Sequence, residues 1–360
     1  MDHRRPTAVL AAFTLGVTAL WPAPAKASPA EESPIFTAAQ PTRLAQSSLL
    51  LSIVTVGKRL VAVGERGHIL LSDDNGASWR QAKVPTSSAL TAVRFATPET
   101  GWAVGHFGVI LHTADGGETW RRQLDGLQAV QLTKAAADAS GSPKRIARAA
   151  QWVADGPDKP LFALAVLDER TVFAFGAYGL SYKTEDGGDT WKAVDERLEN
   201  PGALHVNAAM VTDGQIILAG EQGMVLRSRD GGGSFQALEF PYEGSLFDAV
   251  PGRNGDLVVI GLRGHAYRSA DGGDTWSACA RPAEETLMGG TVLPDGRYAL
   301  VTTGGHLLVG DPACGAFTAT HVPGAGPLAA VTLRSDRALA LVGAAGYTQF
   351  SVPQSSEAGK

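Results

Sequence analysis

The chain of 360 residues contains 43 glycines, and 44% of its residues are hydrophobic. This composition suits many short buried strands joined by tight turns. The formal net charge of −5 at pH 7 excludes a general nucleic-acid-binding role. After residue 27 no apolar run is long enough for a transmembrane helix, so we expect contact with a membrane to be peripheral at most.

The first 27 residues have the three parts of a secretory signal peptide. The basic start MDHRR is followed by the apolar run Ala8–Trp21 and by an Ala-x-Ala sequence that ends at Ala27. We expect cleavage after Ala27, which removes three basic residues and one acidic residue and changes the formal charge from −5 to −7. Pro6 directly after the two arginines favours the general secretory route over twin-arginine export. The mature protein is therefore predicted to be exported to the periplasm. We also expect it to be a monomer.

From about residue 49 the chain repeats an eight-residue turn, Ser/Thr-x-Asp-x-Gly-x-Ser/Thr-aromatic, which is called an Asp-box. The Asp side chain can accept hydrogen bonds from backbone N–H groups of its own turn, and the glycine adopts a conformation that other residues reach poorly. We therefore predict a structural role for the five aspartates, not a catalytic or metal-binding one. The copies are Ser72–Trp79, Thr113–Trp120, Thr184–Trp191, Ser228–Phe235 and Ser269–Trp276, with aspartates Asp74, Asp115, Asp186, Asp230 and Asp271.

The repeat has the length of one propeller blade. Box aromatics at positions 79 and 120, 235 and 276, and 276 and 317 are 41 residues apart, as in a four-stranded blade. A sixth repeat has a broken box, GDPACGAF, and a seventh has none. We predict an all-β, seven-bladed β-propeller over residues 28–353 and a disordered tail over 354–360. The run Ile35–Leu44 is predicted to supply the outer strand of the seventh blade and close the ring.

A second motif, Gly-x-x-Gly, follows the second strand of the repeats. No helix follows these turns, so a glycine-rich phosphate loop is disfavoured. Because strands alternate in direction, these turns and the connectors between blades share one face, and the Asp-boxes lie on the other. The turns are Gly64–Gly67, Gly105–Gly108, Gly176–Gly179, Gly220–Gly223, Gly261–Gly264 and Gly343–Gly346.

Residues 127–160 interrupt the step from the second blade to the third and are predicted to form two helices. Ser142 and Pro143 are typical of a helix start, and Gly156-Pro157 of a stop. The insertion could be a hairpin that only packs on the rim, or an element that docks a partner.

Two cysteines, Cys279 and Cys314, lie near the outer strand of the fifth blade and in the broken sixth box. In an exported protein they could form a disulfide, which would be worth roughly 3–4 kcal/mol for a loop of this size. The alternative is two buried thiols.

The face that carries the connectors is the predicted partner-binding surface. No catalytic residue is assigned, and the scattered histidines lack metal-ligand spacing, so no metal or cofactor is predicted. The candidate binding residues are Arg66, His106, Phe107, Tyr178 and Arg263 from the turns, and Arg145, Arg148 and Trp152 from the insertion.

The Asp-boxes, the Gly-x-x-Gly turns and the phrase GWAVGHFGVILHTADGGETW (residues 101–120) together resemble the photosystem II assembly/stability factor family over about residues 45–350. The resemblance implies a non-enzymatic scaffold that binds a membrane protein or membrane-protein complex during its assembly. The family has an arginine patch, to which only Arg66 and Arg263 could correspond here. The insertion and DGPDKP (155–160) resemble the non-photosynthetic bacterial branch, whose partner could be an envelope exporter. In a photosynthetic host the site of action would be the thylakoid lumen.

Two other functions are compatible with Asp-box propellers. A sialidase-like glycoside hydrolase needs three arginines on a carboxylate, a Tyr-Glu nucleophile pair and an acid, but the Arg-Ile-Pro segment expected before the first box is absent. Tyr242-Glu243 is an isolated pair, interpreted as loop surface. A carbohydrate-binding propeller could stack sugars on Phe107, Tyr178 and Trp152 if these residues converge.

Overall fold

The computed structural model describes residues 33–352, apart from Asn254 and Pro282. The predicted signal peptide (1–27) and the predicted tail (354–360) lie outside the described residues. The described chain forms seven antiparallel sheets, which confirms the predicted all-β, seven-bladed propeller. The first strand of each blade contacts the first strands of both neighbouring blades, so the seven first strands line the centre of a ring.

Six blades have four strands and the seventh has three. Blades 1 to 3 contain β1 (Leu50–Val56), β2 (Arg59–Gly64), β3 (Ile69–Ser72), β4 (Arg80–Gln81), β5 (Leu90–Phe95), β6 (Gly101–Gly105), β7 (Ile110–Thr113), β8 (Arg121–Leu124), β9 (Leu161–Val166), β10 (Val172–Gly176), β11 (Ser181–Thr184) and β12 (Lys192–Ala193). Blades 4 and 5 contain β13 (Val206–Thr212), β14 (Gln215–Gly220), β15 (Val225–Ser228), β16 (Gln236–Ala237), β17 (Leu246–Pro251), β18 (Leu257–Gly261), β19 (Ala266–Ser269) and β20 (Ser277–Ala278). Blades 6 and 7 contain β21 (Leu287–Val292), β22 (Tyr298–Thr302), β23 (His306–Gly310), β24 (Phe317–His321), β25 (Leu328–Leu333), β26 (Leu339–Gly343) and β27 (Gly346–Phe350).

The core lies between the blades. Second strands such as β18 and β26 are apolar and buried along their whole length, because each blade packs face to face on its two neighbours. Trp120 of the second Asp-box packs in the same apolar cluster as Leu71 of blade 1. The box aromatic therefore joins its own blade to the preceding one.

Polar side chains also join one blade to the box of the next. In three blades the residue after the box aspartate offers its carbonyl oxygen to the preceding blade. The bonds are Arg59 to Gly116 (2.8 Å), Gln123 to Gly187 (2.7 Å) and Arg227 to Gly272 (2.8 Å).

The predicted closure of the ring by Ile35–Leu44 is wrong. Blade 7 keeps three strands, and the segment lies instead against blade 1 and the connector that follows it: Ala39 N donates to Val84 O (3.1 Å) and Thr42 N to Gln81 Oε1 (3.1 Å). Ile35 is only 1% exposed, but it lies in a turn, in which Phe36 N and Thr37 N donate to Ser33 O (2.9 and 3.1 Å), and not in a strand.

Packing closes the ring. The short 3₁₀ helix Ala45–Ser47 contacts β27, and Ala45 shares an apolar cluster with Val342 of blade 7. Thr55 of β1 donates to Leu333 O of β25 (2.6 Å). Blades 7 and 1 are thus joined without a shared sheet.

The predicted helical insertion is confirmed as two helices, α1 (Gly126–Ser140) and α2 (Pro143–Asp155). Asp125 forms a capping box with Gln128 at the start of α1. Gly141, with φ of 65°, ends α1 in the left-handed conformation. As expected, Pro143 lies in the first turn of α2, although Ser142 makes no side-chain cap.

Cys279 and Cys314 are joined as a disulfide, with their Cα atoms 5.0 Å apart and a sequence separation of 35. The bond connects the end of β20 to the broken sixth box. That turn also retains an aspartate: Asp311 accepts backbone N–H groups from Ala313, Gly315 and Ala316. The disulfide therefore adds to a carboxylate-bonded turn.

Candidate partner-binding face

The propeller has two chemically different faces. The Asp-box turns and the hairpins between first and second strands lie on one face, which we call the box face. The Gly-x-x-Gly turns and the connectors between blades lie on the other, which we call the connector face.

On the box face each aspartate is used by its own turn. Thr113 Oγ1 and Thr119 N donate to Asp115 Oδ1 (2.8 and 3.0 Å), and Thr119 Oγ1 donates to Asp115 Oδ2 (2.5 Å). Asp74, Asp186, Asp230 and Asp271 accept the equivalent bonds. Hydrogen bonds from Ser78 lower the pKa of Asp74 to about 2. These carboxylates are therefore ionised and are bound by several donors of their own turns.

On the connector face five Gly-x-x-Gly turns hold their third residue in the left-handed region, with φ between 52° and 58°. Both glycines are needed because the connector passes against the turn. A Cβ on Gly64 would lie 2.1 Å from Leu49 O, and one on Gly67 would lie 2.0 Å from Thr86 O. We call the five residues held in this way the crown; they are Arg66, Phe107, Tyr178, Gln222 and Arg263.

The crown residues stand in equivalent positions on blades 1 to 5. Arg66, Gln222 and Arg263 are exposed, Tyr178 is 44% exposed, and Phe107 is half-buried against the core between blades 1 and 2. His106, which precedes Phe107, is exposed. The five turn residues predicted as binding residues therefore share one face. Gln222 was not among them, although its position in the fourth turn could have identified it.

The three candidates from the insertion have partners within the molecule. Trp152 is only 7% exposed and packs in the core between blades 2 and 3. Arg145 forms ion pairs with Asp195 (3.0 Å) and Glu196 (3.0 Å), and Arg148 lies 3.8 Å from Asp195. These two arginines and Trp152 therefore attach α2 to blade 3.

Trp152 instead supports a crown residue. Its ring centroid lies 6.1 Å from that of Tyr178, which in turn lies 4.9 Å from His205. His205 is 6.1 Å from Phe162 at the start of β9. Two of the three aromatics considered for sugar stacking, Trp152 and Tyr178, thus come together, whereas Phe107 packs elsewhere.

Tyr242, considered for a hydrolase, is packed as well. Its ring stacks on His265 at 4.4 Å, and its hydroxyl donates to Leu262 O (3.1 Å). Within the described part of the chain no three His, Cys, Asp or Glu side chains are grouped so that they could hold a metal ion.

The centre of the connector face opens into the channel between the blades. Every first strand has a register shift directly after its first residue, so one additional residue per blade lies at the channel mouth. A cavity of about 360 Å³ lies there and is also lined by Arg94 and Asp248. The seven bulge residues are Leu51, Thr91, Phe162, Asn207, Phe247, Met288 and Ala329. Sequence reasoning missed this site, because these seven residues share a position and not a chemistry.

Comparison with known proteins decides the family. The family model described as photosynthesis system II assembly factor YCF48 matches residues 45–128, 71–143 and 146–321, which is more than half of the chain. The chain belongs to this family. This confirms the resemblance found in the sequence.

Individual relatives of the YCF48 family match over shorter stretches. The chain is 39% identical over 77 residues to photosystem II stability/assembly factor HCF136, chloroplastic, of Cyanidioschyzon merolae, covering 20% of this chain and 18% of the relative. It is 31% identical over 164 residues to photosystem II assembly protein Ycf48 of Synechococcus sp., covering 40% and 48%. The matches thus span less than half of either relative.

Solved structures show the same fold. YCF48 bound to D1 peptide superimposes with a TM-score of 0.63 at 16% identity, over 86% of this chain and 95% of the other. YCF48 from Cyanidioschyzon merolae gives 0.62 at 17% identity, over 86% and 97%. A streptogramin B lyase gives 0.66 at 11% identity, over 84% and 93%, so the fold alone does not distinguish a binding protein from an enzyme.

Neither α1 nor α2, nor any other helix in the described residues, is long and apolar enough to cross a bilayer.

Proposed function

We propose that the mature protein is an exported, non-enzymatic assembly factor that binds a segment of a membrane protein through the connector face. Family membership carries the proposal, because the relatives are named as photosystem II assembly factors and one solved relative is described as bound to a D1 peptide. The partner is a photosystem-like complex if the host is photosynthetic, and an envelope complex such as an exporter otherwise.

The chemistry of the crown supports this surface. Arg66 and Arg263 present exposed guanidinium groups, and Tyr178 presents a half-exposed ring. A partner segment with carboxylates and an apolar side chain would complement them. The tight turns hold the crown backbone in one conformation before binding, which reduces the entropy that binding costs.

The insertion contributes indirectly in this proposal. Trp152 limits the positions open to the Tyr178 ring, and Arg145 and Arg148 hold α2 on blade 3 through Asp195. Loss of α2 would therefore alter binding by releasing Tyr178.

The test is in-cell crosslinking and capture from native membranes with matched variants. Arg66→Asn and Arg263→Asn together remove both cations, and asparagine tolerates the left-handed conformation of these positions. The matched control is Arg121→Asn with Arg229→Asn, since both arginines are largely exposed on the box face. We expect wild type and control to recover one membrane complex and the crown variant to lose it. Equal recovery by all three would refute the connector face as the binding surface.

Export is part of the proposal. Mass spectrometry of the protein from the host should find Ser28 as the first residue, in the periplasmic or lumenal fraction. A product that still begins before residue 28 in the cytoplasmic fraction would contradict it.

A further inference from the structure

The cavity at the channel mouth is distinct from the crown. It is lined mainly by the second to fourth residues of the innermost strands, and its volume of about 360 Å³ is in the range of small-molecule sites. Each innermost strand begins at the connector face, so the cavity opens on that face. A ligand of this cavity would therefore enter from the same side as the partner but occupy a separate place.

Two opposite charges face each other in this cavity. Arg94 and Asp248 are its only charged lining residues in the described chain. Arg94 belongs to β5 of blade 2 and Asp248 to β17 of blade 5, on opposite sides of a ring of seven. Burial raises the pKa of the Asp248 carboxyl, and the positive charge of Arg94 opposes that rise. The two charges thus act on each other across the channel.

Both groups have hydrogen-bonding capacity left over. In the described chain the only hydrogen bond from the Arg94 guanidinium goes to Val93 O (2.8 Å), although this group has five N–H donors. Each Asp248 oxygen accepts one backbone N–H, from Ala249 (2.9 Å) and from Gly290 (3.0 Å), and an ionised carboxylate can accept about four. Arg94 can therefore pair with a carboxylate and Asp248 with an ammonium group.

The rest of the mouth is mainly apolar. Phe162, Phe247, Met288 and Leu51 line it, and all four are half-buried, so each would lose further contact with water if an apolar group entered. We propose that the channel mouth binds a free α-amino acid with an apolar side chain. Its carboxylate lies on Arg94, its ammonium group on Asp248, and its side chain against the apolar wall. This site needs no contact from the crown, so it goes beyond the proposed function.

The test is isothermal titration of the mature protein with three related ligands. L-leucine carries both charges, L-leucinamide lacks the carboxylate, and N-acetyl-L-leucine lacks the ammonium group. We expect L-leucine to bind and each analogue to bind at least tenfold more weakly, because one desolvated charge is then left unpaired.

Two variants test which protein charge binds which charged group of the ligand. Arg94→Gln should weaken L-leucine tenfold or more and abolish its advantage over L-leucinamide, and Asp248→Asn should do the same relative to N-acetyl-L-leucine. Arg94→Gln is expected to fold, since within the described residues the Arg94 guanidinium bonds only to its neighbour Val93, and circular dichroism checks both variants. Arg121→Gln on the box face should bind like wild type.

The proposal is overturned if L-leucine gives no heat at millimolar concentrations. It is also overturned if either analogue binds as tightly as L-leucine, or if Arg94→Gln and Arg121→Gln behave alike. The assay contains no membrane partner, so these results do not bear on the proposal for the connector face, which has its own test.

Discussion

At the residue scale, two kinds of titrating side chain are held in places where their charge affects stability. His112 is 9% exposed, with its ring 4.9 Å from that of Trp102. Burial, together with the charge of Arg121, lowers the pKa of His112 to about 4. On the box face, hydrogen bonds from the turns lower the pKa of Asp74, Asp230 and Asp271 to about 2.

Replacing His112 with glutamine should change the pH dependence of unfolding. The folded pKa of about 4 lies below the ordinary histidine value of 6.5, so the folded state favours the neutral ring. The contribution of His112 to the free energy of unfolding is fully present above pH 6.5. It is lost as the pH falls towards 4, and amounts to roughly 2–3 kcal/mol. Urea midpoints across this interval should fall less steeply for His112→Gln. A slope equal to that of wild type would contradict the prediction.

The Asp-box carboxylates should cause a second loss of folding stability, at lower pH than His112. This second loss provides the control for the His112 variant. In Asp74, Asp230 and Asp271 the folded pKa of about 2 lies below the ordinary value of 3.8, so these carboxylates stabilise the protein above pH 3.8 and cease to do so as the pH falls through 2. Asp74→Ala should therefore flatten the urea midpoints below pH 4, and His112→Gln should flatten them above pH 4.

At the scale of elements, local bonding decides what the sequence could predict. The Asp-boxes bond within eight residues, and the Gly-x-x-Gly turns have glycines at both ends, so both followed from the pattern. The role of Trp152 depends on blade 3, which lies outside its own helix, and the arginines of α2 were interpreted as surface for the same reason. The ion pairs with Asp195 were not visible in the sequence, because the two partners are 50 residues apart.

The pair Arg145–Asp195 should hold the insertion in place. The side chains are 17% and 10% exposed, so Arg145→Met leaves Asp195 half-paired at a cost of about 1–3 kcal/mol. Limited proteolysis should then cut within α1 or α2 faster while the blades stay resistant. The control is Lys134→Met, because the Lys134–Asp138 pair is exposed (42% and 47%) and worth less than about 1 kcal/mol. Equal cutting of both variants would refute the role of Arg145.

The disulfide should stabilise the joint between blades 5 and 6. Its loop of 35 residues corresponds to roughly 3–4 kcal/mol in the chain-entropy model. Cys279→Ser with Cys314→Ser should lower the free energy of unfolding by that order. Adding a reductant should lower wild type to the level of the variant and leave the variant unchanged. A reductant effect on the variant would show that another process is being measured.

At the scale of the whole molecule, the ring is closed by packing and not by a strand shared between its ends. Blade 7 ends at β27, and the contacts to blade 1 come from Ala45, Thr55 and the pair Trp79–Tyr347, whose rings are 4.8 Å apart. The number of blades could be predicted because it is a count of repeats. The closure could not, because Ile35–Leu44 has strand-like residues whose destination depends on which surface buries Ile35.

Two truncations separate closure from simple burial. Removing residues up to Leu44 takes away Ile35, which is 1% exposed, and should cost about 2–4 kcal/mol, as for other buried side chains of this size. The ring should still unfold in one calorimetric transition, since Ala45 remains on β27. Removing residues up to Ser48 also deletes Ala45 from the cluster between blades 7 and 1, and should broaden the transition or split it, because the last blade loses part of its support. If the shorter truncation alone opened the ring, seen as a second transition or as association through the uncovered edge of β27, then the segment before Ala45 would be the closing element after all.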